Sequence, residues 1–432
     1  MRTNKNSILW VIVVVSLFPL VLWLLAPAAQ PRFSTGGAIL ASFGQMFGLV
    51  GVVLFAINLL LSARLRFFEA RMNGLNNVYT QHSLIGQIAF ILLLFHPLLL
   101  ISKYATSVRE AASFLWLSND WSINWGILAL GCMIALIVLT LYLRPRYDIW
   151  KWTHKFLGGA FFLAALHIWL IPSDTSRYLP LKAYVLAFVA LGLIAFVYRS
   201  VLGRFLIQKH RYRVTRVMHL NNEVTELQME PENERLVYGP GQFVFLNFID
   251  HTIGFESHPF SLTSSPNDKH ISVSIKDLGD YTSKIHELAP GILAEVEGPF
   301  GRFSYEHLGR AAQTWIAGGI GITPFISMVR SLTPESGYTV DLFYCVKNKE
   351  EAVYLDMLTA AAAALNNVLR IIPFFSDEQG RITADLIQKA SGNVIEKDIL
   401  ICAPPPMIHA LKDQFASIGA NREHIYSEEF SL

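Results

Sequence analysis

The sequence predicts an α-helical membrane bundle of six spans, fused to a small β-barrel and then to an α/β domain. Three observations carry this prediction. The chain has 432 residues, enough for about three domains at roughly 150 residues each. Its hydrophobic fraction is 53%, above the roughly 45–50% of soluble chains, and the excess falls before Arg199. Past His210 the pattern turns to short alternating runs, and past Gln313 strands alternate with helices. The boundaries that follow are 1–206, 207–308 and 309–432.

Six apolar stretches reach the roughly 20 residues that a bilayer crossing takes: 8–25, 38–61, 79–101, 125–143, 153–171 and 183–198. Positive charge orients them. Arg2 and Lys5 precede the first, and Arg64, Arg66 and Arg71 follow the second. Arg144, Arg146 and Lys151 separate the fourth from the fifth. Arg199, Arg204, Lys209, Arg211 and Arg213 follow the sixth. The remaining loops carry Arg32, Lys103, Arg109, Arg177 and Lys182. By the positive-inside rule the Arg-rich side, and with it the second half of the chain, is cytoplasmic. Ala26-Pro27-Ala28 resembles a signal-peptidase site, but the apolar run before it is long for a signal peptide, so the first span is read as retained. A net charge of +2 speaks against a nucleic-acid binder. Cys132, Cys345 and Cys402 do not make a disulfide framework.

Histidine inside a bilayer is expensive and usually functional. His82 and His96 share the third stretch, 14 residues apart, and His154 and His167 share the fifth, 13 apart. Both stretches run in the same direction, so the histidines fall at two depths about 20 Å apart. His82 pairs by depth with His154, and His96 with His167. A single such histidine reads best as an interhelical hydrogen-bonding residue. Two depth-matched pairs read as ligands, because neutral imidazole binds iron well and bis-imidazole ligation leaves no open coordination site. Two b-type haems would satisfy that arrangement. At about 100° per residue, 14 residues return nearly to one helix face and 13 do not. The fifth stretch is therefore expected to depart from ideal helix, with Gly158-Gly159 as a place that permits it.

In the second half, 212–218, 224–229, 242–248 and 271–275 read as strands of an all-β module. Strands at 314–317, 340–346, 367–375 and 398–402 then alternate with helices at 324–332, 352–365 and 406–416. That order predicts a doubly wound nucleotide-binding domain. The turn Ala317-Gly318-Gly319-Ile320-Gly321-Ile322-Thr323-Pro324 joins its first strand to its first helix. Glycines there let a phosphate approach amide donors at a helix N-terminus, and Pro324 is a helix-start signal. Taken alone, the glycine cluster reads as well as a plain tight turn.

These features together resemble the ferric reductase / NADPH oxidase superfamily, in its bacterial form with a ferredoxin–NADP⁺ reductase-type dehydrogenase half. The segment His258-Pro259-Phe260-Ser261-Leu262-Thr263-Ser264-Ser265-Pro266 resembles the family's FAD motif. The resemblance implies cofactor contacts from His258, Pro259, Phe260 and Thr263, with Ser261 near the reactive edge of the flavin. Lys276 to Ser283, with Gly279 and Thr282, resembles the element that holds the FAD pyrophosphate; its alternative is a strand followed by a capped helix. Glu297-Gly298-Pro299-Phe300-Gly301 resembles the turn between the two dehydrogenase domains. Gly318, Gly319, Gly321, Thr323 and Pro324 resemble the nicotinamide-nucleotide site, with Thr323 near the nicotinamide. Cys345 and Lys347 match a Cys-x-Arg type pair. Cys402-Ala403-Pro404 matches Cys-Gly-Pro with an Ala substituted. Glu428-Glu429-Phe430 resembles the family's closing segment, whose aromatic stacks on the flavin; the alternative for Phe430 is plain packing.

The resemblance implies electron transfer from cytoplasmic NAD(P)H through FAD and two b-type haems, held by His82, His96, His154 and His167, to an acceptor across the membrane. Dioxygen is the expected acceptor; a ferric chelate and a periplasmic partner are the alternatives, and a redox-inactive scaffold is the non-enzymatic one. Lys347 and Lys349 favour NADPH over NADH. The segment 102–124, with Lys103 and Arg109, is expected to meet the acceptor. His251, His270 and His307 are expected to be solvated. The layout suits a bacterial inner membrane.

Overall fold

The computed structural model describes residues 5–28, 31–101, 109, 112, 114–143, 145–250, 253–254 and 256–429. Arg2, Arg144, His251, Phe430 and most of the stretch expected to meet the acceptor lie outside the described residues. The chain divides into two compact units, Met1–Ile207 and Gln208–Leu432.

The first unit is helical. Its principal helices are α1 (Lys5–Leu25), α2 (Gly36–Ser62), α3 (Leu75–Ile101), α4 (Trp121–Val138), α5 (Phe156–Leu170) and α6 (Leu179–Phe196). Among the described residues, five segments are long and apolar enough to cross a membrane, corresponding to α1, α2, α3, α4 and α6. The sixth expected crossing, α5, has 15 residues. A short helix, Tyr147–His154, leads into it with a turn at Lys155. The departure from ideal helix therefore falls next to His154, upstream of Gly158-Gly159. Polar caps mark the helix starts: Thr35 accepts the Ala38 amide at 3.2 Å, and Asp120 accepts the Ser122 amide at 2.8 Å. Such caps satisfy amides that the first turn leaves without partners.

Helix α2 is the spine, packing against α1, α3 and α6. Val53, Ala56 and Leu61 on it are wholly buried. Gly44, Gly48 and Gly51 line its seam with α3, where an added β-carbon would lie within about 3 Å of His96 or Leu93. Small residues allow this approach, and close packing is what holds helices together in lipid, where apolar burial drives little. Between the loops, Arg32 reaches Asp174 at 2.9 Å, with both side chains mostly buried, and lies over the Trp23 ring.

The second unit opens with a six-stranded antiparallel sheet of order β4-β3-β6-β1-β2-β5. Its strands are β1 (His210–His219), β2 (Val224–Pro231), β3 (Phe243–Phe248), β4 (His258–Ser261), β5 (Ile271–Lys276) and β6 (Leu293–Phe300). A bridge between Leu262 and Val273 brings the two edges together, so the sheet is a nearly closed barrel. Its centre is filled by Tyr212, Val214, Leu227, Val244, Leu246, Phe248, Val273 and Val296, all fully buried. Strands β4 and β6 were not among the expected runs. Pro259 interrupts the first, and Gly298-Pro299 interrupts the second just before its end at Phe300.

A five-stranded parallel sheet of order β11-β10-β7-β8-β9 follows, built from β7 (Ala312–Gly318), β8 (Thr339–Val346), β9 (Leu369–Phe375), β10 (Asp398–Cys402) and β11 (Ile425–Glu428). Helices α7 (Thr323–Val329), α8 (Leu355–Leu365), α9 (Ala384–Ser391) and α10 (Pro405–Ser417) connect them. Cores lie on both faces of the sheet, as a doubly wound domain requires. Strand order reverses between β7 and β10. Ligands of open α/β sheets bind at such a switch point, outside the carboxyl ends of the strands.

Candidate functional site

In the helical unit His82 and His154, expected as a pair, meet. The His82 and His154 rings lie 6.2 Å apart, centroid to centroid, and nearly perpendicular. Two imidazoles on opposite sides of one metal ion would be separated by two bonds of about 2 Å plus two half-rings, about 6 Å in all. The pair thus has the spacing a shared ion needs. His96 and His167 each sit against a glycine of the neighbouring helix, Gly48 and Gly126. Among the described residues no group of three or more His, Cys, Asp or Glu is arranged around a metal position.

Backbone carbonyls orient three of the four rings. His82 Nδ1 lies 3.0 Å from the Asn58 carbonyl oxygen, His96 Nδ1 lies 2.7 Å from that of Gly44, and His167 Nδ1 lies 2.7 Å from that of Ser122. A carbonyl only accepts, so Nδ1 must carry the proton and Nε2 keeps the free lone pair. That is the outer-shell arrangement expected of a ligating histidine. His154 Nδ1 is buried with no hydrogen-bond partner. Asn58, Gly44 and Ser122 were invisible to motif reading, because a backbone carbonyl has no residue signature.

In the barrel, β4 lies beside β3 and presents the expected flavin motif. His258 stacks on Tyr281 with centroids 4.0 Å apart and pairs with Glu256 at 2.8 Å. Pro259 and Phe260 are half-buried, and Ser261 is buried. Ser261 Oγ has no partner, whereas two residues on Thr263 Oγ1 donates to Glu226 at 3.2 Å. The Thr263 carbonyl accepts from Arg330 at 2.9 Å, and the Ser264 carbonyl accepts from Ser327 at 2.7 Å. The tail of the motif is thereby stitched to the end of α7. Tyr238 touches Ser264 Oγ at 2.7 Å, and burial pushes its phenol up to about 12. Gly279, Thr282 and Ser283 form one turn, in which Thr282 Oγ1 accepts the Leu278 and Gly279 amides at 2.9 and 3.0 Å. The turn opens a short 3₁₀ segment, Thr282–Glu287.

Gly318, Gly319, Gly321, Thr323, Pro324 and Cys402 converge at the ends of β7 and β10. Their glycines divide the work. A side chain at Gly321 would collide with the Cys402 carbonyl, and a β-carbon at Gly318 would come 2.7 Å from that of Ala403. Both positions are therefore required by the neighbouring turn. Gly319 has φ of +57° and open space around it, and it is the glycine that faces a groove. Asn221, Glu223, Lys276, Ile320, Tyr344 and Glu351 also line that groove. Lys276 pairs with Glu223 at 2.9 Å, an ion pair that holds the Glu223 carboxyl below its usual range. Lys347 is exposed, 3.6 Å from Glu351. Cys345 and Cys402 are buried, and burial pushes the Cys345 thiol up to about 12.

Comparison with known proteins agrees with this layout. Residues 47–165 match the family described as ferric reductase like transmembrane component. Residues 207–301 match an FAD-binding domain, and 315–413 an oxidoreductase NAD-binding domain. The three in this order describe an integral membrane protein with a flavin- and nicotinamide-binding half. Among curated proteins, ferric reduction oxidase 2 of Arabidopsis thaliana is 27% identical over 59% of this chain and 34% of its own length. NADPH oxidase 1 of Rattus norvegicus is 31% identical over 44% of this chain and 33% of its own. The ferredoxin reductase component of 3-ketosteroid-9-alpha-monooxygenase from Mycobacterium tuberculosis is 29% identical over 45% of this chain and 56% of its own. The chain therefore covers between a third and somewhat over half of these relatives. A flavohemoglobin from Malassezia yamatoensis shares the fold with a TM-score of 0.52 at 17% identity, covering 91% of this chain and 97% of that one. In its three domain matches the chain is similar to proteins of the ferric reductase and NADPH oxidase type.

Proposed function

We propose that the chain carries electrons from cytoplasmic NADPH, through FAD and two b-type haems, to dioxygen on the opposite side of the membrane. The observation that carries this reading is the pair of histidine levels, with three of four rings turned by a carbonyl so that Nε2 is free. His82 with His154 would hold one haem and His96 with His167 the other. Bound FAD would supply two-electron chemistry toward the nicotinamide and the haems one-electron chemistry, a division of labour that nucleotide-to-haem transfer needs.

The residues do the placing. Ser261 offers a buried hydroxyl, without a protein partner, to the flavin edge. His258, Pro259 and Phe260 wall that edge, and Lys276, Gly279, Thr282 and Ser283 serve the FAD phosphates. Gly319 gives the nicotinamide nucleotide backbone access at the switch point, with Thr323, Pro324 and Cys402 behind it. Lys347 and Lys349 are the cations positioned by sequence to favour a 2′-phosphate. Phe430 is assigned to cover the flavin until the nicotinamide displaces it.

The test is an absorption spectrum of detergent-purified protein with FAD, before and after NADPH under nitrogen. Sharp reduced b-type bands support the reading, and a folded protein without haem overturns it. Admitting oxygen, or a ferric chelate in its place, then separates dioxygen reduction from ferric reduction by which one reoxidises the bands faster.

A further inference from the structure

The carbonyls that orient the histidines obey a spacing. In α2 the accepting residues are Gly44 and Asn58, for His96 and His82 of α3. The two helices are antiparallel neighbours, and both separations equal 14 residues, so one register serves both rings. In α4 the acceptor is Ser122, for His167 of α5. Four residues beyond each acceptor stands a small residue: Gly48 after Gly44, Ser62 after Asn58 and Gly126 after Ser122. In a helix the carbonyl of residue i points toward residue i+4, so the side chain at i+4 decides whether anything can reach that oxygen from outside. At two of the three positions the side chain is absent and the imidazole fills the gap. A β-carbon at Gly48 would lie 2.6 Å from His96 Nδ1, and one at Gly126 would lie 2.9 Å from His167 Nδ1.

His154 fits the rule by exception. Counting 13 residues along α4 from Ser122, as His154 is 13 before His167, reaches Ala135, and four further on stands Leu139. Leu139 keeps a full side chain over the Ala135 carbonyl, where the other acceptors have a small residue, and His154 Nδ1 has no partner.

We infer that Gly48 and Gly126 are positioning residues, each opening a backbone carbonyl so that an imidazole docks on it, and that they set the proton position and angle of His96 and His167. The inference rests on the proposed haem ligation and adds the residues that fix one level of it. An interior glycine costs a helix roughly 1 kcal/mol against alanine, so this use explains glycine where alanine would stabilise the helix. Gly131, also on α4, has no atom near a would-be β-carbon and is the matched control.

The experiment compares the full-length protein with G48A, G126A and G131A, purified in detergent. Its readouts are haem per chain, the low-temperature electron paramagnetic resonance of the ferric haems, and flavin content. The parent and G131A are expected to hold two haems. G48A and G126A are each expected to fall toward one haem per chain, or to keep two with the resonance and midpoint potential of one haem shifted and the other unchanged. Two haems with unaltered resonances in both G48A and G126A would overturn the inference, as would an equal loss in G131A. If G48A does not fold, G126A, on a different helix, decides by the same criteria. A haem-free parent would instead strike down the proposed ligation itself, which separates the two failures.

Discussion

Anchored and unanchored polar groups stand side by side in both halves of the molecule. At the level of His96 and His167, both rings donate to a carbonyl; at the level of His82 and His154, one does. In the barrel, Thr263 Oγ1 is bonded to Glu226 while Ser261 Oγ, two residues away, is bonded to nothing. A buried polar group without a partner costs about 1–3 kcal/mol. Groups that the fold satisfies are explained by stability. Ser261 Oγ, one of those it leaves unsatisfied beside the flavin motif, is better explained by what binds there.

The contrast breaks most visibly by removing histidines. H96A or H167A should reduce haem from two per chain to about one by pyridine haemochrome assay, and H82A or H154A should remove the other, with the four variants falling into two spectral classes. Four identical spectra would mean the levels are not separate sites. Next in size is the flavin edge. S261A should retain FAD and thermal stability but slow the anaerobic NADPH-driven bleaching of the flavin by tenfold or more, the size of effect that losing one reaction-centre hydrogen bond has elsewhere. T263V should do the reverse, losing about 1 kcal/mol of stability with the bleaching rate kept. If both variants act alike, anchoring does not sort structural from cofactor-facing groups.

A subtler measurement sharpens the comparison between the levels. A donor N–H bonded to a carbonyl makes the imidazole a stronger electron donor to iron and favours the ferric state. The level with one anchored ring should therefore have the more positive midpoint potential in a two-component redox titration. Smallest of all is the pH effect at Cys345. Burial pushes its thiol up to about 12 in the folded protein, against about 8.5 when unfolded. The raised value means stability from this group is complete below about pH 8.5 and declines as pH climbs toward 12. At pH 8, Cys345 should resist iodoacetamide in native protein and react in guanidinium. Rapid native labelling would contradict its burial.

Much of this was legible in the sequence because the signals were side chains out of place. Four histidines in apolar runs, and a change in period at the start of the second half, suffice for the bundle and the barrel. What stayed hidden had physical reasons. Strand β4 is four residues long with Pro259 inside it, too short for alternation to register. The turn at Gly318–Gly321 read as an anion cradle, yet Gly318 and Gly321 are set by the Cys402-Ala403 turn across the sheet, a neighbour far away in the chain. Asn58, Gly44 and Ser122 act through carbonyls common to every residue.

The turn at Lys155 has a consequence for recognising relatives. Because His154 rides on its own short helix, Tyr147–His154, the number of residues between it and His167 is not bound by helical repeat. A homologue can gain or lose a residue there and still face both imidazoles inward, whereas His82 and His96, carried on one unbroken helix, tolerate no such slip. A search pattern for this architecture should hold the interval in the third span rigid and let the one in the fifth vary.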